Sequence, residues 1–320
     1  LHEVMEAAAR WFTDQFAGVE GAEARAYLAQ RGLSDTTIRR FGFGFAPDSR
    51  TKLKSALKQW GVDKLIEGGL LIAPEGEKEP YDRFRGRLMI PIRDQRGRTI
   101  AFGGRILGEG EPKYLNSPET PLFDKGRTLF NLDGAAPASR DARRLIVVEG
   151  YMDVIALHQA GIAETVAPLG TALTEGQLER LWRLDPSPIL CFDGDSAGEK
   201  AAVRAALRAL PHIAPGRSLS FATLPAGQDP DDLLRAKGRT ALDAVLAAAE
   251  PLVDRLWRHE RDSLPLATPE QRAGLRQRLL DHVSTIGDAN VRDQYRVEML
   301  SRFDTLTRPP RRQWTGQQGG

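Results

Sequence analysis

Three short apolar runs, at residues 145–148, 188–192 and 219–223, each lead into acidic residues, with a further run at 165–167 and stretches of helical period between them. Short apolar runs alternating with helices predict a parallel sheet covered on both faces. The first run ends at Glu149-Gly150, and Asp153 falls in the first turn of the helix expected over 152–160. The third in chain order ends at Asp193-Gly194-Asp195, ahead of a helix expected over 198–210. The last leads through Pro225-Ala226-Gly227-Gln228 to Asp229, Asp231 and Asp232. Open α/β sheets bind ligands beyond the carboxyl ends of their strands. All the acids therefore fall on the edge where such a fold builds a site.

Taken singly, these pieces have ordinary readings. Asp193-Gly194-Asp195 alone is more often a turn than a metal site, and 228–232 alone reads as a helix cap and start. Glu149 ending a buried run is less ordinary. The joint arrangement, in order and each after its own strand, points to one site. Residues two apart in an extended pair point the same way, so Asp193 and Asp195 are expected to face one cavity. Converging carboxylates repel unless cations sit among them, and oxygen-only ligands favour Mg²⁺ or Mn²⁺ over zinc. Two such ions about 3.5–4 Å apart suit phosphoryl transfer.

The rest of the chain sets this site in context. Helices are expected over 3–16, 22–30, a short stretch capped by Ser34, 52–60 and 62–68, and strands over 88–92 and 99–102 joined by a turn at 94–97. The polar stretch 109–121 reads as a loop. Phe41, Phe43 and Phe45 alternate as a half-buried strand would. The Pro/Ala/Ser stretch 134–139 reads as a subdomain boundary, residues 239–306 as helical, and 307–320 as a linker tail. The expected fold class is thus α/β: an α+β amino-terminal subdomain (1–134), a Rossmann-like parallel sheet (140–238) and a carboxyl-terminal helical subdomain (239–306).

Net charge is only +2 over 320 residues, but its distribution is uneven: residues 83–127 hold ten Lys or Arg against five Asp or Glu. A basic stretch feeding an acidic site suits a polyanion beside bound cations. Lys113, Asn116, Lys125 and Arg127 fall on expected loops where they suit phosphate contacts; Arg105 follows Gly103-Gly104, a pair that lets backbone approach a ligand. Arg83, Arg85, Arg87 and Arg98 read better as the solvent face of a hairpin. Tyr114 is a candidate for stacking on a base. His158, His212 and Cys191 read as structural. The single cysteine excludes an internal disulfide and a multi-cysteine zinc site, and suits a reducing cytoplasm. No apolar run is long enough to span a membrane. A chain beginning Leu1-His2-Glu3 is expected to be a fragment, and no secretory pattern opens it.

A strand ending in Glu-Gly followed by one ending in Asp-x-Asp resembles the Toprim domain of primases, topoisomerases and some nucleases. Val148 to Asp153 (VEGYMD), Phe192 to Gly198 (FDGDSAG) and Gly227 to Asp232 (GQDPDD) look like bacterial DnaG-type primases. So do Tyr81 to Asp94, Gly97 to Arg105, Pro112 to Thr120 and Phe123 to Arg127. The resemblance covers nearly the whole chain. It implies Glu149 as general acid/base or metal ligand, with Asp193, Asp195 and Asp229 as metal ligands and Asp153 and Asp231 completing the acidic site. It implies two to three Mg²⁺ or Mn²⁺ ions. Arg105, Lys113, Asn116 and Lys125, with Arg31 more weakly, would form the template and nucleotide groove. The implied partners are single-stranded DNA and ribonucleoside triphosphates. A zinc-binding domain and a carboxyl-terminal domain that meets the replicative helicase are expected to be absent from these residues. The rival readings are another Toprim enzyme, a nuclease or topoisomerase, and a strand-binding module without chemistry. A topoisomerase needs a nucleophilic tyrosine, and Tyr295 has no supporting context.

Overall fold

A computed structural model describes residues 1–76, 79–170 and 172–307. The tail read as a linker, residues 308–320, lies outside the described residues. The first helices are α1 (His2–Ala17), α2 (Ala22–Gln30) and α3 (Asp35–Phe41), followed by β1 (Gly44–Ala46). Ser34 caps α3 by accepting from the Thr37 amide, as its position predicted. Next come α4 (Lys52–Ala56), α5 (Val62–Glu67), a small β2 (Leu71–Ile72) and β3 (Tyr81–Asp82) pair, then β4 (Arg87–Arg93), β5 (Thr99–Ile106) and β6 (Tyr114–Asn116). Strands β1, β4, β5 and β6 make an antiparallel sheet in that order. Phe12, Phe84 and Phe102 pack edge to face between this sheet and α1.

The second half alternates. Helix α6 (Leu132–Ala142) leads to β7 (Ile146–Val147), α7 (Tyr151–Gln159), β8 (Thr165–Val166), α8 (Glu175–Trp182), β9 (Ile189–Cys191), α9 (Ser196–Ala209) and β10 (Ser220–Ala222). Four strands lie parallel in the order β10-β9-β7-β8. Successive residues point to opposite faces: Ile146 and Val148 join the core shared with the amino-terminal sheet, while Leu145 and Val147 join the core under the later helices. Both faces are covered, which is why these strands read as unbroken apolar runs.

Helix α10 (Pro230–Ala247) is broken at Gly238, whose φ is +75°. A short β11 (Glu250–Pro251) then pairs antiparallel with β10, so the sheet has one reversed edge strand. Helices α11 (Leu252–Ser263), α12 (Pro269–Ser284) and α13 (Ala289–Thr307) complete the described chain. None of the described helices is long and apolar enough to cross a membrane.

Three readings from sequence need correction, and the stretch 134–139 takes a helical form that its composition did not suggest. Residues 114–116, taken as loop, form β6, because the side-chain-free Gly103-Gly104 backbone accepts a neighbour: Gly103 pairs with Asn116 and Arg105 with Tyr114. Residues 134–139, read as the stretch between two subdomains, lie inside α6. There Leu132, Ala135 and Ser139 fall on one buried face, and that burial overrides Pro137. Phe41 ends a helix rather than alternating in a strand, with Gly42 capping it at φ +66°, although all three phenylalanines are core as expected. The stretch 52–60 is α4 plus a separate turn of 3₁₀ helix at Lys58–Trp60.

In the helical region Glu260 is buried, accepting from Arg278 Nε at 2.7 Å and facing His282 Nε2 at 2.8 Å. Burial opposes ionisation there, but the His282 and Arg278 bonds win and hold the carboxyl down at about 2. A folded value below the ordinary one gives stability that is complete above about pH 4.5 and is lost as pH falls toward 2. Glu260→Gln should therefore destabilise the protein by about 2 kcal/mol at neutral pH. In thermal melts it should also flatten the acid side of the stability profile between pH 4.5 and 2.

Candidate functional site

Strands β7 and β9 are neighbours in register, Val147 opposite Leu190, so the residues just beyond them meet. Glu149 Oε1 accepts from the Asp193 amide at 3.0 Å, tying the two strand ends together. Gly150 opens α7, and Asp153 Oδ2 accepts from its amide at 3.1 Å. Burial first, then the charges of Asp229 and Asp193, push the Asp153 carboxyl up to about 8. Asp193 is pushed up to about 7 by burial, then by Glu149, Asp229 and Asp195. The strand ends therefore do gather Glu149, Asp153, Asp193, Asp195 and Asp229 within electrostatic reach of one another.

The turns between these groups depend on glycine. The Gly194 amide donates to Gln228 O at 2.9 Å and the Gly227 amide to Gly194 O at 2.8 Å, joining the loops after β9 and β10. A Cβ on Gly194 would sit 2.1 Å from Pro225 O, and one on Gly198 2.1 Å from Asp193 O. Two helices start from carboxylates of the cluster. Asp195 Oδ1 caps α9, accepting from the Ala197 and Gly198 amides at 2.8 Å each. Asp229 Oδ1 caps α10, accepting from the Asp232 amide at 2.7 Å. The cap expected at 228–232 is thus present at Asp229, Asp195 caps as well, and each cap occupies only one carboxylate oxygen. Asp195 nonetheless turns one oxygen onto α9 instead of facing wholly into the cavity beside Asp193.

Asp231 is placed differently from the other acids. It is buried, pairs with Arg31 Nη1 at 3.1 Å and bonds Arg235, and these two cations offset the burial that raises its carboxyl. It stands at the margin of the cluster, turned toward the amino-terminal subdomain.

Among the described residues, no three carboxylate, imidazole or thiol groups stand close enough to form a ready-made metal cage. The individual oxygens nevertheless fit a hard cation. Asp193 Oδ1 and Gln228 Oε1 are buried without a hydrogen-bond partner. Glu149, Asp195 and Asp229 each spend one oxygen on an amide and leave the other without a hydrogen bond among the described residues. Buried oxygens without donors are what a cation would satisfy. Sequence reasoning missed Gln228, and the only trace of it was its place beside Asp229.

The cationic residues lie along the seam between the subdomains. Arg105 Nη1 donates to the Tyr114 hydroxyl at 2.6 Å, and its guanidinium lies 4.9 Å from the Tyr27 ring centre. Arg31 stacks over the same Tyr27 ring at 5.6 Å. Tyr114 is therefore held between cation and ring, not presented as an open stacking platform. Asn116, read as a loop ligand, sits on β6 and clamps the subdomains: it accepts from the Tyr151 hydroxyl at 2.8 Å and donates to Leu169 O at 3.1 Å. Lys113 and Arg127 are exposed and Lys125 half-buried; their side chains make no ion pair or hydrogen bond among the described residues. Tyr27 and Tyr151 were missed; Tyr151 follows the Glu149-Gly150 signal directly.

Two family models match in order: the amino-terminal domain of the DNA primase catalytic core over residues 11–136, and the Toprim domain over residues 143–214. The chain is 42% identical over 311 residues to the DNA primase of Escherichia coli K12, an alignment covering 96% of this chain and 53% of that protein. It thus spans about half the length of the curated relatives it matches. Among solved structures, a DNA primase domain from Pseudomonas aeruginosa superposes with a TM-score of 0.87 at 42% identity, covering 96% of this chain and 95% of that one. A DnaG primase catalytic domain bound to single-stranded DNA gives 0.83 at 41%, covering 94% and 97%. Both halves of the family's core are matched in sequence and a solved core is covered almost end to end, so the chain belongs to the DnaG-type DNA primase catalytic-core family.

Proposed function

We propose that this chain synthesises short RNA primers, joining ribonucleoside triphosphates on a single-stranded DNA template during bacterial replication. The observation that carries this reading is the acidic cluster at the strand ends lying across one seam from the Arg105, Arg31 and Tyr27 group. The relative solved with single-stranded DNA supports the choice of template. In this reading residues 1–134 supply the groove, 140–238 the chemistry and 239–306 a stabilising helical subdomain. The setting is the bacterial cytoplasm. A replicative helicase is a further partner, reached through residues outside these 320.

Glu149, Asp193, Asp195 and Asp229 would hold two to three Mg²⁺ or Mn²⁺ ions, which supply neutralisation of triphosphate charge. Asp153 lies behind them, tying Gly150 to α7. In this reading Glu149 would take the proton of the attacking 3′-hydroxyl as that oxygen attacks an α-phosphate and pyrophosphate departs. Arg105, Lys113 and Lys125 would position template and triphosphate by charge. Much of the catalysis is then orientation of reactants that the protein holds rigidly. Asp231 acts through Arg31 as a positioning residue rather than as a principal ligand.

The sign of the pH dependence follows from the raised carboxyls. Carboxyls pushed up to about 7 and 8 cost nothing below about pH 4 and the full penalty above pH 8, so metal-free stability declines across that interval. Mg²⁺ should raise the melting temperature more at pH 8 than at pH 5. Asp193→Asn should raise the metal-free melting temperature at pH 8 by a few degrees and reduce the Mg²⁺ response. An unchanged Mg²⁺ response in this variant would remove Asp193 from the cation site.

For activity, wild-type protein with Mn²⁺ or Mg²⁺, single-stranded DNA and ribonucleotides should yield short RNA, read on a denaturing gel. Asp193→Asn should lower product by about 10²–10³-fold, the scale of losing one transition-state charge partner, with strand binding kept within about twofold. Degradation of the strand without nucleotides would instead favour a nuclease.

A further inference from the structure

A second basic feature lies away from the acidic site. Between the tip of the β4–β5 hairpin and helix α8 is a cleft of 580 Å³ lined by Arg93, Arg96, Arg98, Arg127 and Arg180, with Asp94 and Asp124 as its only acids among the described residues. Asp94 is already taken by Arg98 at 2.7 Å. Arg96, Arg127 and Arg180 make no side-chain ion pair or hydrogen bond among the described residues. Asp124 is left to face these three arginines, and arginines packed with too few counter-charges destabilise a fold by their own repulsion unless an anion meets them.

Local structure holds two of these side by side. The buried amide of Gln177 donates to Lys125 O at 3.0 Å and Thr128 O at 2.8 Å, and the Thr174 hydroxyl bonds Gly126 O, so loop 124–128 lies against α8. Gly176 makes room for it: a Cβ there would lie 3.1 Å from Arg127 Cγ and 3.2 Å from Gly126 O. Arg180 is one helical turn further along the same face, and Arg183 follows at the end of α8. After burial, the Arg127 and Arg183 charges pull the Arg180 pKa below its ordinary value.

We propose that this cleft is a second phosphate-binding station for the template strand, with Arg96, Arg127 and Arg180 as its contacts. The proposal rests on the template-binding reading above and extends it to a surface beyond the acidic site. Two observations favour a nucleic-acid strand over an acidic peptide. The loop that carries Arg127 also carries Lys125, placed at the template groove in the reading above, and this loop bonds Thr174, the neighbour of Leu173, which lines a cavity with Glu149. Also, six residues of β5 separate Thr99 at the cleft end from Arg105 in the groove. At about 3.4 Å per residue that is about 20 Å, or about six nucleotides at duplex rise. A short strand would reach one station and a longer one both.

The test measures anisotropy of labelled oligothymidylates of about 4 nucleotides, too short to span about 20 Å, and about 24 nucleotides against salt, with the whole chain, wild type and variants. Wild type should bind the longer strand more tightly, with a steeper salt dependence. Arg180→Glu and, on the opposite wall, Arg96→Glu should each weaken the longer strand by about 5–10-fold and reduce its log–log salt slope by about one or two. Both should leave the shorter strand unchanged within twofold. A variant pair indistinguishable from wild type on the longer strand overturns this inference while leaving the template reading intact. Failure of wild type to bind either strand overturns both. Loss of polyglutamate binding in Arg180→Glu with strand binding intact would reassign the cleft to an acidic peptide and overturn the proposal.

Discussion

Carboxylates brought together out of water repel, and two raised groups, Asp153 and Asp193, mark where this chain accepts that repulsion. The parallel sheet makes the crowding unavoidable. Strands β7, β9 and β10 run the same way and finish at one edge, so an acid after each must meet the others. The fold limits the damage by giving single carboxylate oxygens to helix starts. Asp195 caps α9, Asp229 caps α10 and Asp153 secures the opening of α7. Each cap satisfies amides that would otherwise lack partners, and each leaves a second oxygen. The site is therefore built from the same bonds that hold the three helices in place.

The seam between the two subdomains depends on the same edge. Tyr151, two residues past Glu149, reaches Asn116 on β6, and Asn116 reaches Leu169 after β8. On the other side, Gln159 Oε1 accepts from the Ser34 amide at 2.8 Å and Gln159 Nε2 donates to Gly32 O at 2.9 Å, while Arg31 pairs with Asp231. Both ends of α7 are thereby tied to the amino-terminal subdomain. That subdomain cannot shift without moving the helix that presents Asp153, so groove and acids keep one geometry.

The elements that bury a periodic face were legible from sequence. Helices α1 to α3, the β4–β5 hairpin and the βα alternation after residue 145 all carry their periodicity in their own residues. What escaped was decided by partners elsewhere in the chain. Residues 114–116 look like loop until Gly103-Gly104 is beside them, and α6 looks like a break until its buried face meets β8. The gathering of Glu149 and Asp193 was legible because each stands two residues beyond the end of its strand. The assignment of Asp231 depends on Arg31, 200 residues away, and no local pattern conveys that. Asn116 was read as a template or nucleotide contact on a loop, and its bonds to Tyr151 and Leu169 were not foreseen because those partners are likewise remote. Gln228, Tyr27 and Tyr151 are residue types that occur in many roles, and only burial and neighbours single them out.

The helical region reaches the site through a buried cation. Arg255 on α11 pairs with Glu199 at 2.7 Å and with Glu250 at 3.3 Å, and its side chain is 4% exposed. Glu199 lies in the first turn of α9, the turn that Asp195 caps. Arg255 also lines the cavity that contains Asp193 and Asp195. A guanidinium buried this deeply is tolerated only with its acids in place, so α11 restrains the start of α9 and, through it, the direction of Asp195. The helices after residue 247 carry no acid of the cluster. Their contribution is to keep one wall of it from turning.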